Sequence, residues 1–169
     1  GHILEATGSL VFSRRHRTAF ACVSGRAHTA ALRRWSALTG IDVHTFAAVD
    51  SRGLRIYHTN IVLSIGRRFA VLCTAAIQDE SARTRVLAAL DVEHVVDISL
   101  AQMDEMCGNV LEVCAGADGV NAVVVMSQRA RDAFTEEQVR HCAVTRCPVL
   151  RLQWGGGGHS SNIGPVVQG

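Results

Sequence analysis

The sequence predicts a mixed α/β protein made of three repeated strand–strand–helix–strand units. Paired short apolar runs around a polar turn begin at residues 9, 60 and 109; residues with helical apolar spacing follow each pair, and a further apolar run closes each unit. The 169 residues suit a single domain, with repeats over about 4–56, 57–106 and 107–153 and a glycine-rich tail over 154–169. Such small units must pack side by side, although a plain α/β sandwich without true repeats is the simpler alternative.

The elements follow one order in each unit. The hairpin strands are predicted at 9–12 with 19–23, 60–63 with 69–73, and 109–113 with 122–126. The helices are predicted at 27–38, 81–90 and 128–142, and the closing strands at 43–46, 95–98 and 149–152. Thr135 followed by Gln138 has the pattern of a capping box, which predicts that a helix restarts within the third helical stretch.

The composition excludes several classes of function. Hydrophobic residues make up 48% of the chain, but no apolar stretch approaches the roughly 18 residues that a membrane span needs. The net charge is +2 with scattered basic residues, so we expect neither a nucleic-acid nor a membrane partner. All seventeen basic residues are arginine, which excludes Schiff-base lysine chemistry and a phosphate-loop lysine at the glycine run 155–158.

The six cysteines lack the paired spacing of common zinc sites. Cys22 and Cys73 lie inside apolar runs, where cysteine usually acts as a small buried hydrophobe. We therefore expect reduced core thiols in a cytoplasmic protein. A metal site could be drawn from four residues near the end of the chain, but their spacing matches no common zinc pattern and no metal is predicted: His141, Cys142, Cys147 and His159.

Unusual polar residues lie at the junctions between the units. They are a carboxylate at Glu5, an imidazole at His58, amides at Asn60 and Asn109, and the glycine run 155–158. Equivalent positions of a repeat array come together in space. The sequence therefore predicts a polar site at one end of an apolar body.

The junction strings resemble a known family. They read Leu-Glu-Ala-Thr-Gly-Ser at 4–9, Ile-Tyr-His-Thr-Asn at 56–60, Ile-Ser at 98–99 with Gln-Met at 102–103, Gly-Asn-Val-Leu-Glu at 108–112, and four glycines at 155–158. From residue 4 to about 158 the chain resembles the guanidino-group-modifying superfamily. This superfamily includes arginine deiminases, dimethylarginine dimethylaminohydrolases and amidinotransferases. The resemblance is strongest to the citrulline-utilisation hydrolases.

The resemblance implies a five-bladed α/β propeller, the pentein fold, of which this chain holds the last three blades. It also implies a small arginine-derived substrate and no cofactor. A three-blade piece leaves open strand edges, so we expect it to associate with a second copy or with the missing N-terminal half.

The resemblance also assigns roles to individual residues. His58 matches the histidine that acts as general acid and base, and Glu5 matches the carboxylate that fixes the substrate group and orients the histidine. Arg26 resembles the arginine that holds the α-carboxylate of the substrate, although a solvated turn arginine is an equal alternative. Asn60 stands where arginine deiminases carry aspartate, which favours a neutral ureido group over a guanidinium. Asn109 is a further predicted substrate-binding residue.

The chain departs from the family pattern at the nucleophile. Family members follow a glycine loop with a cysteine, whereas this sequence places Ser161, or Ser160 with a shorter loop, at that position. A serine hydroxyl needs a strong adjacent base, so we expect covalent catalysis to be severely impaired. The sequence thus allows an impaired guanidino- or ureido-group hydrolase, a non-catalytic binding or regulatory protein that keeps the pocket, or a purely structural domain.

Overall fold

The computed structural model describes residues 1–5, 8–13, 15–115, 121–142 and 149–152. They form three separate three-stranded sheets in the order β1-β2-β3, β4-β5-β6 and β7-β8-β9. The strands are β1 Val11–Phe12, β2 Thr18–Cys22, β3 Asp42–Phe46, β4 Leu63–Ile65, β5 Phe69–Leu72, β6 His94–Asp97, β7 Leu111–Ala115, β8 Asn121–Ser127 and β9 Val149–Leu152. The helices are α1 Thr29–Thr39, α2 Thr59–Val62, α3 Glu80–Ala89, α4 Leu100–Asp104, α5 Gln128–Ala133 and α6 Glu136–Cys142.

Each sheet repeats one topology. The middle strand pairs antiparallel with the strand before it and parallel with the strand after it, and helices make the crossover to the parallel partner. The mixed α/β class is therefore confirmed, and each of the three sheets contains two antiparallel strands and a parallel third strand. None of the three sheets closes on itself within the described part of the chain.

The middle strands form the centre of the core. Phe20 on β2 and Phe69 on β5 are almost fully buried, and all four residues of β5 are inaccessible to solvent. A strand that is covered on both faces needs a continuous apolar run, which is the pattern that the sequence shows here. One hydrophobic cluster includes residues from all three units, so the units share a core.

The second hairpin corrects one prediction. Residues 60–63 were expected to form a strand, but Thr59–Val62 is a short helical turn and β4 begins only at Leu63. The buried Thr59 hydroxyl donates to the Ser9 carbonyl at 2.6 Å and accepts from the Cys22 amide at 2.7 Å. This side chain anchors α2 to the first unit, and such long-range contacts override the strand preference of the local apolar run.

The third unit differs less from expectation. β7 starts two residues later than predicted, at Leu111. The helical stretch 128–142 is divided into α5 and α6, as the capping box indicated, because Thr135 and Gln138 exchange side-chain and backbone hydrogen bonds of 3.0 and 3.2 Å. The sequence did not predict α4, which a second capping box of Ser99 and Gln102 begins.

Two glycines allow the junctions to approach each other closely. Gly8 has a positive φ of 82°, and an added Cβ there would lie 2.9 Å from Asn60 Oδ1. A Cβ added to Gly108 would lie 1.9 Å from the Ile61 carbonyl oxygen. The junctions before the first and third hairpins therefore both contact α2, which places all three junctions together.

The described helices contain no segment long and apolar enough to cross a bilayer.

Candidate functional site

A carboxylate and an imidazole from different junctions meet in a direct contact. His58 Nε2 lies 2.6 Å from Glu5 Oε2, although the two residues are 53 positions apart in sequence. The His58 side chain is only 13% exposed, whereas that of Glu5 is 35% exposed. The pair therefore joins a sheltered ring to a partly accessible carboxylate.

The local backbone places both side chains. His58 precedes the first turn of α2 in an extended conformation, and its side chain makes no capping hydrogen bond to that helix. The ring is thus free to reach Glu5. The segment around Glu5 is held by its backbone. The Glu5 amide donates to the Arg26 carbonyl at 2.9 Å, and Leu4 forms an antiparallel bridge with Ala27.

Arg26 approaches the same carboxylate from the exposed side. Its Nη1 donates to Glu5 Oε1, and its guanidinium carbon lies 5.6 Å from the centre of the Tyr57 ring. The Tyr57 ring in turn contacts His58 edge-on, with centroids 4.7 Å apart. These four residues form one continuous group, which we call the Glu5 cluster: Glu5, Arg26, Tyr57 and His58.

Charge and hydrogen bonding in the cluster favour an ionised carboxylate. Hydrogen bonds from His58 and then from Arg26 lower the pKa of the Glu5 carboxyl, against a smaller opposing effect of desolvation. An ionised carboxylate only accepts hydrogen bonds, so His58 must donate through Nε2. In the neutral ring this leaves Nδ1 without a proton and able to accept one.

Asn60 carries a buried acceptor next to Gly8, in the helical turn that follows His58. Its backbone amide donates to the Gly8 carbonyl at 3.1 Å. Its side-chain Oδ1 is buried and has no hydrogen-bond partner among the residues that the structure describes. An unpaired buried acceptor is costly unless another group satisfies it, and an N–H of a bound ligand could do so.

The remaining predicted site residues are Asn109, Ser160, Ser161 and the glycine run, and the structure describes only Asn109 among them. Asn109 is half-buried, and its amide donates to the Met106 carbonyl at 3.0 Å. Ser160, Ser161 and the glycine run 155–158 lie outside the described residues. The structure therefore brings Glu5, His58 and Asn60 to one junction region, but it does not locate the predicted nucleophile.

Cysteine and histidine side chains are the other possible ligands of a metal ion. Cys22 and Cys73 are buried as predicted, and burial raises the pKa of the Cys22 thiol to about 11. Of the four drawn metal ligands, His141 and Cys142 are described, and Cys147 and His159 are not. Within the described ranges no group of three or more His, Cys, Asp or Glu side chains could hold a metal ion.

Two features of the junctions were missed from the sequence. Tyr57 lies between His58 and Arg26, and its position directly before His58 gave no indication of that contact. Glu112 is 6% exposed and accepts hydrogen bonds from the Arg67 amide at 2.7 Å and from Arg67 Nε at 3.4 Å. A charged residue within an otherwise apolar strand was the available signal for this contact between the second and third units.

A shallow depression on the outer face of α1 is separate from the Glu5 cluster. Its lining is His2, Ala30, Ala31, Arg34, Trp35 and Leu38. None of the predicted site residues lines it.

The fold resembles that of ArgZ and AgrE. The N-terminal domain of ArgZ, an arginine dihydrolase of the cyanobacterial ornithine–ammonia cycle, superposes with a TM-score of 0.69 at 14% identity in its substrate-bound C264S form. That match covers 89% of this chain and 50% of the ArgZ domain. AgrE C264A with L-arginine superposes with a TM-score of 0.68 at 15% identity, covering 89% of this chain and 20% of AgrE.

A match between the sequence and a family model shows the family of the chain. A family model described as N,N dimethylarginine dimethylhydrolase, eukaryotic, matches residues 1–167, and the chain belongs to this family. No match to a curated protein sequence was found. The chain spans about half the length of the ArgZ N-terminal domain and 22% of full-length ArgZ.

Proposed function

We propose that the chain binds an arginine-derived small molecule at the Glu5 cluster and is an impaired member of a group of enzymes that hydrolyse a C–N bond at the guanidino or ureido carbon. The contact of 2.6 Å between Glu5 and His58 is the observation that carries this proposal. A carboxylate that fixes the tautomer of a sheltered imidazole is an arrangement suited to general acid–base catalysis. The family membership and the arginine-binding neighbours in structure support the same chemistry.

Glu5 and His58 have complementary roles in the proposed reaction. Glu5 holds the substrate group and orients the ring, while His58 moves the proton. In a member with a cysteine nucleophile, the thiolate bonds to the central carbon, and the C–N bond breaks as histidine protonates the leaving ammonia or amine. Histidine then takes a proton from water, the resulting hydroxide attacks the same carbon, and the C–S bond breaks to free the thiolate.

Asn60 supports a citrulline-like ligand. A buried amide oxygen that has no hydrogen-bond partner among the described residues is suited to accept from a neutral ureido N–H, whereas a cationic guanidinium favours a carboxylate. This feature leads us to propose the citrulline-utilisation type. Tighter binding of L-arginine than of L-citrulline in isothermal titration would contradict it.

We also propose that the three sheets are consecutive blades of a pentein propeller, the last three of five. The half-length match to the ArgZ domain supports a chain that holds part of such a propeller. Exposed apolar side chains on the outer strands, such as Phe12 at 47% and Leu111 at 41%, favour self-association of the isolated chain. Sedimentation should then show an oligomer, and a monodisperse monomer would contradict the proposal.

The activity is tested by restoring the nucleophile. Release of ammonia from L-arginine and L-citrulline is measured for the wild-type chain, for Ser161→Cys and for Ser160→Cys. We expect no measurable turnover by the wild type and turnover by Ser161→Cys, because a thiol ionises far more readily than a hydroxyl. Adding Glu5→Gln to the active variant should abolish the turnover.

The alternative is a non-catalytic binding or regulatory protein that keeps the pocket, and the serine at the nucleophile position favours it. Turnover by no variant, together with titratable binding of L-citrulline, would replace the hydrolase with this binding function. Absence of both turnover and binding would overturn the proposal and leave a structural domain.

A further inference from the structure

Two separate backbone segments carry the side chains that hold Glu5. Arg26 lies in a tight turn that is closed by two backbone hydrogen bonds between Ser24 and Ala27, of 3.1 and 3.3 Å. His58 lies on another segment, directly before the first turn of α2. The spacing of these two segments therefore decides whether both side chains reach the Glu5 carboxylate.

One hydroxyl, that of Ser24, joins the two segments. Its Oγ accepts from the Arg26 amide at 3.1 Å, and its O–H donates to the Tyr57 carbonyl at 3.0 Å. The first bond is the local bond that serine makes to the amide two residues further on, and it fixes the turn that carries Arg26. The second bond links residues 33 positions apart and fixes the residue directly before His58. A hydroxyl can make both bonds at once, because it has one donor and two acceptor lone pairs.

Ser24 acts on the carboxylate through its neighbours. Within the described part of the chain, the Glu5 carboxylate accepts hydrogen bonds from the side chains of Arg26 and His58, and none from Ser24. We infer that Ser24 is the positioning residue of the Glu5 cluster: its hydroxyl holds the two segments so that Arg26 and His58 each meet one oxygen of Glu5. The positioning can be observed without a ligand, whereas its effect on binding rests on the proposed function.

The variant Ser24→Ala removes both bonds and nothing else. Ser24 is half-buried, and Arg26 and Tyr57 are exposed, so water can reach the two backbone groups that lose their partner. We therefore expect Ser24→Ala to fold, which thermal denaturation verifies. Ser24→Thr keeps a hydroxyl at the same position and is the conservative variant.

The pKa of the Glu5 carboxyl, measured by NMR titration of the full chain, reports the positioning. In the wild type this pKa is lowered, because hydrogen bonds from His58 and then from Arg26 favour the ionised form. These two are also the charged or titratable side chains that act on Glu5 through charge. Any loosening of the two segments should therefore raise the pKa of Glu5.

The matched control is Ser36→Ala. The Ser36 hydroxyl donates to the Ile41 carbonyl at 2.6 Å near the end of α1, so it makes a comparable side-chain bond to the backbone outside the cluster. A purely structural role of serine would lower the melting temperature in both alanine variants and leave the pKa of Glu5 unchanged in both.

We expect the pKa of Glu5 to rise towards 4.5 in Ser24→Ala and to keep its wild-type value in Ser24→Thr and Ser36→Ala. Adding Ser24→Ala to the double variant Arg26→Gln/His58→Gln should cause no further rise, because the side chains through which Ser24 acts are gone. In isothermal titration, L-citrulline should bind Ser24→Ala about threefold to tenfold more weakly than the wild type, as expected for the loss of one to two hydrogen bonds that hold the site.

The outcomes separate the positioning from the proposed function. An unchanged pKa of Glu5 in Ser24→Ala, an equal rise in Ser36→Ala, or a further rise in the double variant would each overturn the inference. Equal affinities of the wild type and Ser24→Ala for L-citrulline would also overturn it. If the wild type does not bind L-citrulline, the proposed function fails, while the pKa of Glu5 in Ser24→Ala still decides whether Ser24 positions the cluster.

Discussion

Replacing Gly108 by alanine tests how tightly the third junction packs against α2. The added Cβ would lie 1.9 Å from the Ile61 carbonyl oxygen and 2.7 Å from its carbon, about 1.5 Å short of ordinary contact with the oxygen. Both partners are backbone atoms, so no flexible side chain can move aside. We expect a loss at the upper end of the usual overpacking range, about 3 kcal/mol in the free energy of unfolding.

The loss is measured by urea denaturation and by the melting temperature, which should fall by about 6–12 °C for a chain of this size. Ile61 belongs to the helical turn that begins after His58, so its displacement should also move the imidazole and weaken ligand binding. The control is Gly25→Ala, where an added Cβ meets nothing within 4 Å. It should stay within about 0.5 kcal/mol of the wild type. Equal effects of the two alanines would refute the close approach of the junctions.

Three further predictions concern hydrogen bonds that hold the cluster and the units. The pKa of Glu5 in the folded state is lowered from 4.5, so the ionised carboxylate stabilises the fold fully above pH 4.5, and this stabilisation is lost as the pH falls through the lowered pKa. In Glu5→Gln, the urea midpoint should therefore depend less on pH between pH 7 and pH 3. An unchanged pH profile would contradict the lowered pKa. Thr59→Val leaves the Cys22 amide and the Ser9 carbonyl without their partner, so denaturant titration should show a loss of about 2–3 kcal/mol in the free energy of unfolding. Thr59→Ser keeps the hydroxyl and should lose less than about 1 kcal/mol. Equal losses would show that the hydroxyl bonds do not stabilise the fold. Gln138→Ala removes the side-chain half of the capping box of α6 and a bond of 2.9 Å to the Asp97 carbonyl, while the Thr135 cap remains. Calorimetry should show a loss of about 1–2 kcal/mol, and an unchanged melting temperature would show that these side-chain bonds carry no stability.

Most strands and helices of the three sheets could be predicted because each sheet is encoded by the same local signals. Apolar runs of strand length and helical spacing recur at fixed intervals, and these signals do not depend on long-range contacts. The division at Thr135 was readable for the same reason, since a capping box is satisfied within four residues.

The start of the second hairpin could not be read in this way. Residues 60–63 have the composition of a strand, but the hydroxyl of Thr59 is fixed by backbone groups of Ser9 and Cys22, which are distant in sequence. Local preference loses to such contacts, and a single sequence does not reveal them.

The candidate site was also predicted only in part. The convergence of Glu5 and His58 was expected from their equivalent positions at repeat junctions, and the structure places them in contact. Arg26 was predicted either to hold a substrate carboxylate or to be a solvated turn arginine, and its contacts with Glu5 and Tyr57 in the structure were not predicted. Which charged partner an exposed arginine takes depends on side-chain placement, which the sequence pattern does not encode.

The central claim is that Glu5 and His58 together form the ligand site, and a crystal structure of the full chain with L-citrulline tests it most directly. We predict that the ureido group lies within hydrogen-bond distance of the Glu5 carboxylate and beside the His58 ring. Citrulline bound in the depression on α1, or at any position away from the Glu5 carboxylate and the His58 ring, would contradict this claim.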